Sequence, residues 1–183
     1  MTSGQTSEQH PERTSERPLD PAAEPVSDSP VGWVANHVRG YLATDGRKGH
    51  RYQGWNTLLL TTRGRRSSLL RRTALIYGEH EGRYLLVASN GGSPRHPAWY
   101  LNLVAHPEVG VQVGAERFTA LARTADRREK APLWALMTEI FPLYDTYQNA
   151  TERPLPLVVL ERREPGGLNG LNGLGETGPA PAP

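Results

Sequence analysis

Between Gly46 and Gly78 the chain carries no Asp or Glu, yet it holds Arg47, Lys48, Arg51, Arg63, Arg65, Arg66, Arg71 and Arg72. Cations left unopposed over one stretch create a focused positive potential, so the chemistry this interval suits is the holding of an anion. Within it, Thr61-Thr62-Arg63-Gly64-Arg65-Arg66-Ser67-Ser68-Leu69-Leu70-Arg71 lies between two runs that read as strands. A tight loop there would bring amides, hydroxyls and guanidinium forks together, a set that grips phosphate or carboxylate. A solvated basic hairpin or a nucleic-acid patch accounts for the composition about as well. Aromatics do not interleave with these arginines, which counts against recognition of single strands by stacking.

Two further clusters bear on chemistry. Val87-Ala88-Ser89-Asn90-Gly91-Gly92 follows a strand-like run, and its paired glycines let backbone approach a flat ligand closely; a plain glycine turn explains them equally well. Phe141, Tyr144, Tyr147 and Gln148 surround a break at Pro142, and their spacing suits either one wall of a pocket or ordinary packing.

Other site types find no support. Gly49-His50-Arg51-Tyr52-Gln53-Gly54 has the outer glycines of a phosphate loop, but Trp55-Asn56 stands where Lys-Ser/Thr is required. No G-x-G-x-x-G stands between a strand-like and a helix-like run, as a dinucleotide fold requires, and no G-x-S-x-G presents a nucleophilic serine. His37, His50, His80, His96 and His106 are scattered without metal-ligand spacing, so no metal is expected. Cysteine is absent, which rules out disulfides, thiolate metal sites and a cysteine nucleophile. No apolar run approaches the roughly 18 residues of a membrane span, and no signal-peptide pattern is present, so a cytoplasmic location without stable membrane insertion is expected.

The elements that must position these clusters follow from periodicity. Residues 1–30 are rich in Pro, Ser, Thr, Glu and Arg and read as a disordered tail; 164–183 is Gly, Pro and Asn punctuation and reads as a second one. The folded domain is then 31–163. Trp33, Val34, His37, Val38, Tyr41 and Leu42 recur at helical spacing. Strands are expected at 57–62, 73–77, 83–89, 109–113, 116–124 and 155–160, with a short helix over 97–105. A further helix follows Asp126, which with Glu129 makes a capping-box pattern. Strands that come mostly as hairpins favour an α+β fold, an antiparallel barrel with flanking helices, over a doubly wound sheet.

Taken together, TTRGRRSSLLRRTAL (61–75), VASNGGSPRHPAWYLNLVAHPEV (87–109) and FPLYDTYQNATERPLPLVVL (141–160) resemble the deazaflavin-dependent nitroreductase family, users of coenzyme F420. The resemblance covers about 57–160 in order and spacing. It implies a split β-barrel like that of FMN-binding reductases, and a cofactor bearing a phosphate and an oligoglutamate tail. By matching position, Arg65, Arg66, Ser67 and Arg71, with Ser68 in the same loop, would hold the phosphate and its neighbours. Ala88, Ser89, Asn90, Gly91 and Gly92 would face the deazaflavin ring, supported by Trp99 and Asn102. Tyr144 and Tyr147 would bound the acceptor pocket, and they or Ser89 would stabilise the charge that develops in catalysis.

The activity so implied is hydride transfer from reduced F420 to a small acceptor: a quinone, an activated C=C bond or a nitro compound. The protein would hold donor and acceptor at roughly 3–3.5 Å and exclude water. The alternatives are a dedicated C=C or C=N reductase of a secondary metabolite, and a carrier that binds F420 without turnover. No nucleic-acid partner is expected, and monomer and homodimer both stay open. Three positions depart from the family pattern: Arg66 stands for a common lysine, Ser68 for a glycine, and Phe141 for the tyrosine of nitroreductase members.

Overall fold

The structure, a computed structural model, describes residues 19–21 and 23–163. Its elements are β1 (Val26–Asp28), α1 (Gly32–Ala43), β2 (Arg51–Tyr52), β3 (Trp55–Arg63), β4 (Leu70–Ile76), β5 (Gly78–His80), β6 (Arg83–Val87), a 3-10 turn (Asn90–Gly92), α2 (Ala98–Ala105), β7 (Glu108–Val113), β8 (Glu116–Thr124), α3 (Arg127–Ile140), α4 (Leu143–Asn149) and β9 (Leu157–Arg162). The fold is α+β, as expected. One large sheet runs in the order β1-β4-β3-β7-β8-β9-β6-β5, with β2 added to β3. Every described pair is antiparallel except β1 with β4.

The sheet closes on itself through a bend in the chain. β4 pairs with β3, and β5, separated from β4 only by Tyr77, pairs with β6. A closed barrel leaves few unpaired edges. Period-two alternation sorts the strand residues. Leu58, Leu60, Leu86, Val109, Val111, Ala120, Ala122, Val158 and Leu160 fill the interior together with Tyr77. Between them, Leu85, Val87, Leu157 and Val159 face outward and pack under Leu133, Met137 and Phe141. On another outer face Leu59 meets Val34, Val38 and Tyr41 of α1.

Two expectations need correction. The last strand begins at Leu157 rather than Leu155, because Pro156 has no N–H for the ladder; its carbonyl instead accepts from the Ala88 amide at 2.9 Å. Ordered structure also begins well before residue 31. Leu19 is buried, and its amide donates to Glu108 Oε1 at 2.8 Å. Glu24 accepts both Nη atoms of Arg63 at 2.9 and 3.0 Å, and Asp28 accepts from Arg72 at 2.8 Å. These long-range pairs hold a strap that its composition alone does not support. Residues 1–18 and 164–183, read as loose tails, lie outside the described residues. Among the described residues, no helix is long and apolar enough to cross a membrane.

Candidate functional site

The loop between β3 and β4 is built by its own backbone. The Gly64 amide donates to the Leu69 carbonyl at 2.9 Å, and the Ser68 amide to the Gly64 carbonyl at 2.7 Å. Ser68 takes a left-handed φ of 57°, where a side chain is disfavoured and a glycine would sit without strain. Arg63 closes the loop by donating to the Ser68 carbonyl at 3.1 Å. Arg63 and Arg72 are thus engaged with the strap's carboxylates, and the arginine block is partly neutralised from outside its own sequence interval.

Arg65, Arg66 and Arg71 line a cleft of about 670 Å3, a size suited to a cofactor-scale ligand, while Arg47, Lys48 and Arg51 of the same interval do not. The loop contributes Gly64, Arg65, Arg66, Ser67 and Arg71 to its lining, the chain from the glycine turn into α2 contributes Asn90, Ser93, Arg95, His96, Trp99 and Asn102, and the strap adds Ser27 to Pro30. Five arginines against the single aspartate Asp28 line it, and Asp28 is already paired with Arg72. Arg66, Arg71 and Arg95 have no carboxylate partner among the described residues. A bound anion would fill that role.

Asn102 joins the loop to α2. It is 5% exposed; its Oδ1 accepts from the Arg65 amide at 3.2 Å and from Arg65 Nη1 at 3.3 Å, while its Nδ2 donates to Thr62 Oγ1 at 3.2 Å. The side chain of Arg65 is therefore aimed by α2. Trp99, half-buried one turn earlier on the same helix, also lines the cleft while packing against the barrel core.

The glycine cluster follows β6 as a strained turn. Asn90, Gly91 and Gly92 have φ of 50°, 62° and 77° in succession. A methyl group at Gly92 would sit 2.9 Å from the Tyr147 carbonyl oxygen and 3.1 Å from Ala150 Cβ, so glycine is needed for α4 to pack there. Of this cluster only Asn90 belongs to the cleft wall; Ala88 is buried, and Ser89, Gly91 and Gly92 lie beside the wall. Ser68 also stays off the wall, exposed to solvent.

The tyrosines are not brought to this cleft. Tyr144, 5% exposed, packs edge-on to Phe141 at 4.9 Å in the cluster under α3, and burial pushes its phenol well above the ordinary tyrosine range. Tyr147 packs on the same cluster and backs Gly92. Neither tyrosine lines the cleft, and Phe141 belongs to the core under α3.

Sequence reasoning missed Arg153. Its guanidinium donates to the carbonyls of Ser93 at 2.8 Å, Ala88 at 3.2 Å and Ser89 at 2.7 Å, clamping both ends of the glycine turn. Burial lowers its pKa, since no carboxylate compensates it. Arg95, His96 and the strap residues of the wall were also missed. A basic residue in the apolar, proline-flanked run before the last strand was the one available signal for Arg153. Among the described residues no cluster of His, Asp and Glu has the makings of a metal site.

Comparison with known proteins gives a consistent set of likenesses. Residues 33–162 match the family model described as F420H(2)-dependent quinone reductase. An F420H(2)-dependent quinone reductase of Mycobacterium tuberculosis is 44% identical over 131 residues, 69% of this chain and 88% of the relative. The solved structure of an F420-H2 dependent reductase is 39% identical and covers 57% of this chain and 93% of that one, with a TM-score of 0.54. A second solved structure, described only as a domain-swapped dimer, is 36% identical and covers 73% of this chain and 100% of that one, with a TM-score of 0.57.

Proposed function

The chain belongs to the F420H(2)-dependent quinone reductase family, and from that premise we propose that it passes a hydride from reduced F420 to a small electrophile, a quinone first among them. The observation that carries the reading is the cleft, lined both by Arg66 and Arg71, which are free of carboxylates among the described residues, and by the aromatic Trp99. This donor set fits the group. Arg65, Arg66, Ser67 and Arg71 suit a phosphate and a carboxylate-bearing tail, while Trp99, with Asn90 at the start of the glycine turn, suits a planar ring.

When bound, the reduced deazaflavin supplies the hydride. The chain's own part is to bind, orient and exclude water. Asn102 aims Arg65, the Arg63 and Arg72 pairs keep the strap as a side wall, and Arg153 holds the turn after β6 in shape. Ser89, half-buried beside Asn90, serves as a polar anchor for the acceptor. Tyr144 and Tyr147 act here by packing, Tyr144 within the core under α3 and Tyr147 against Gly92.

The test is to titrate the protein with oxidised and reduced F420, then follow anaerobic oxidation of the reduced form by menadione, cyclohexenone and a nitroimidazole. Saturable binding with faster turnover of menadione is the expected outcome. Turnover of cyclohexenone alone would move the reading to a C=C reductase, and binding with no turnover would move it to a carrier. Failure to bind either form would sink it.

A further inference from the structure

The cleft wall contains one imidazole, and its protonation is set by a neighbour. His96 lines the cleft, and its Nδ1 lies 3.2 Å from Nη1 of Arg153. A guanidinium has donors only, so Nδ1 must accept and the single proton of the neutral ring sits on Nε2. Arg153 is held in this position, because Nε, Nη1 and Nη2 also donate to the carbonyls of Ser93, Ala88 and Ser89. Burial, reinforced by the charge of Arg153, lowers the pKa of the imidazole and so favours its neutral form.

The Nε2 atom has no hydrogen-bond partner among the described residues. It is not a buried atom lacking a partner either, so it opens onto accessible surface. A neutral N–H placed there is available to a ligand. Unlike the arginines, it offers a hydrogen bond without a full charge. Such a donor strengthens its bond as negative charge grows on an acceptor oxygen.

We propose that His96, as its Nε2–H tautomer, donates a hydrogen bond to a carbonyl-type oxygen of the ligand held in this cleft, and that Arg153 is the positioning residue that fixes the tautomer. The inference rests on the reading that the cleft takes the deazaflavin and its acceptor. That oxygen belongs either to the cofactor ring or to the acceptor, and the two are separated by what changes when the donor is removed.

Three measurements on the full chain decide it. Ring 15N spectra of the labelled protein at pH 7 should show His96 protonated at Nε2 and bare at Nδ1, and Arg153→Lys should mix the two forms. His96→Leu should weaken the affected constant by about tenfold, the value of one hydrogen bond. A rise in the Kd for F420 assigns the oxygen to the cofactor; a rise in the KM for menadione at unchanged Kd assigns it to the acceptor. His96→Gln, whose amide nitrogen reaches about as far as Nε2, should restore most of the loss. A wild-type ring protonated at Nδ1, or a His96→Leu variant with both constants unchanged, overturns the proposal. If the wild type does not bind F420 at all, the functional reading fails instead, and the ring spectra still decide the Arg153–His96 pairing.

Discussion

Asn102 shows how a neutral side chain can govern an ionic site. Its carboxamide accepts from Arg65 and donates to Thr62, so Asn102→Ala leaves buried polar groups without partners and should lower stability by about 1–3 kcal/mol. The same change frees the Arg65 side chain, and the Kd for F420 should rise with it, as calorimetry would register. Arg66→Ala should leave the melting temperature in place and raise that Kd by about ten- to a hundredfold, the worth of a charge-assisted hydrogen bond. Its effect should shrink as salt is added, since the site is open to solvent. Gly92→Ala belongs to the same scale. A φ of 77° and a backbone oxygen 2.9 Å from the added methyl should cost at least about 1–3 kcal/mol, read as a fall in the unfolding midpoint.

At the scale of elements, α3 is the one whose start is written most plainly in the sequence. Asp126 Oδ1 accepts from the amides of Arg128 and Glu129 at 2.7 and 2.9 Å, and Glu129 returns a bond to the Asp126 amide at 3.0 Å, completing the capping box. The helix cap is also tied to the sheet, because Arg123 of β8 donates twice to Glu129, at 2.7 and 2.8 Å. Those bonds, and then the one from Asp126, hold the Glu129 carboxyl down from its ordinary 4.5 to about 2. A folded-state pKa lowered in this way contributes stability in full above about pH 4.5, and that contribution is lost as the pH falls towards about 2. The denaturant midpoint should therefore fall as the pH is lowered through that window, and less steeply in Glu129→Gln. The basic loop and the glycine turn were legible for a related reason: their chemistry-bearing residues are neighbours in sequence. Arg153 and His96 were not, because 57 residues separate two side chains whose meaning lies in their contact.

The whole molecule repeats that contrast. Most strands announced themselves through alternation, and the hairpins among them pointed to an antiparallel barrel. The strap did not, because Glu24 and Asp28 find their arginines 39 and 44 residues away, and a Pro- and Ser-rich stretch gives no local sign of it. Spacing likewise left Tyr144 and Tyr147 open between a pocket wall and packing, and burial under α3 places Tyr144 in the core. The strap should matter to the cleft as a whole. The double substitution Glu24→Gln and Asp28→Asn removes both ion pairs and should raise protease cleavage near residues 19–30, with F420 protecting against it.

The position of β9 has a consequence for how the protein is made. Tyr84 pairs with Leu160 and Val87 with Leu157, so β6 waits for a partner synthesised about 70 residues later. At roughly 5–20 residues per second that wait is on the order of 4–14 s. Until it ends, Leu85, Leu86 and Val87 have no neighbour on that edge and the barrel cannot close. A chain stalled before residue 157 should remain soluble only while a chaperone or the ribosome holds it. Yield in a host cell should accordingly follow chaperone supply more closely than it follows the stability of the finished fold.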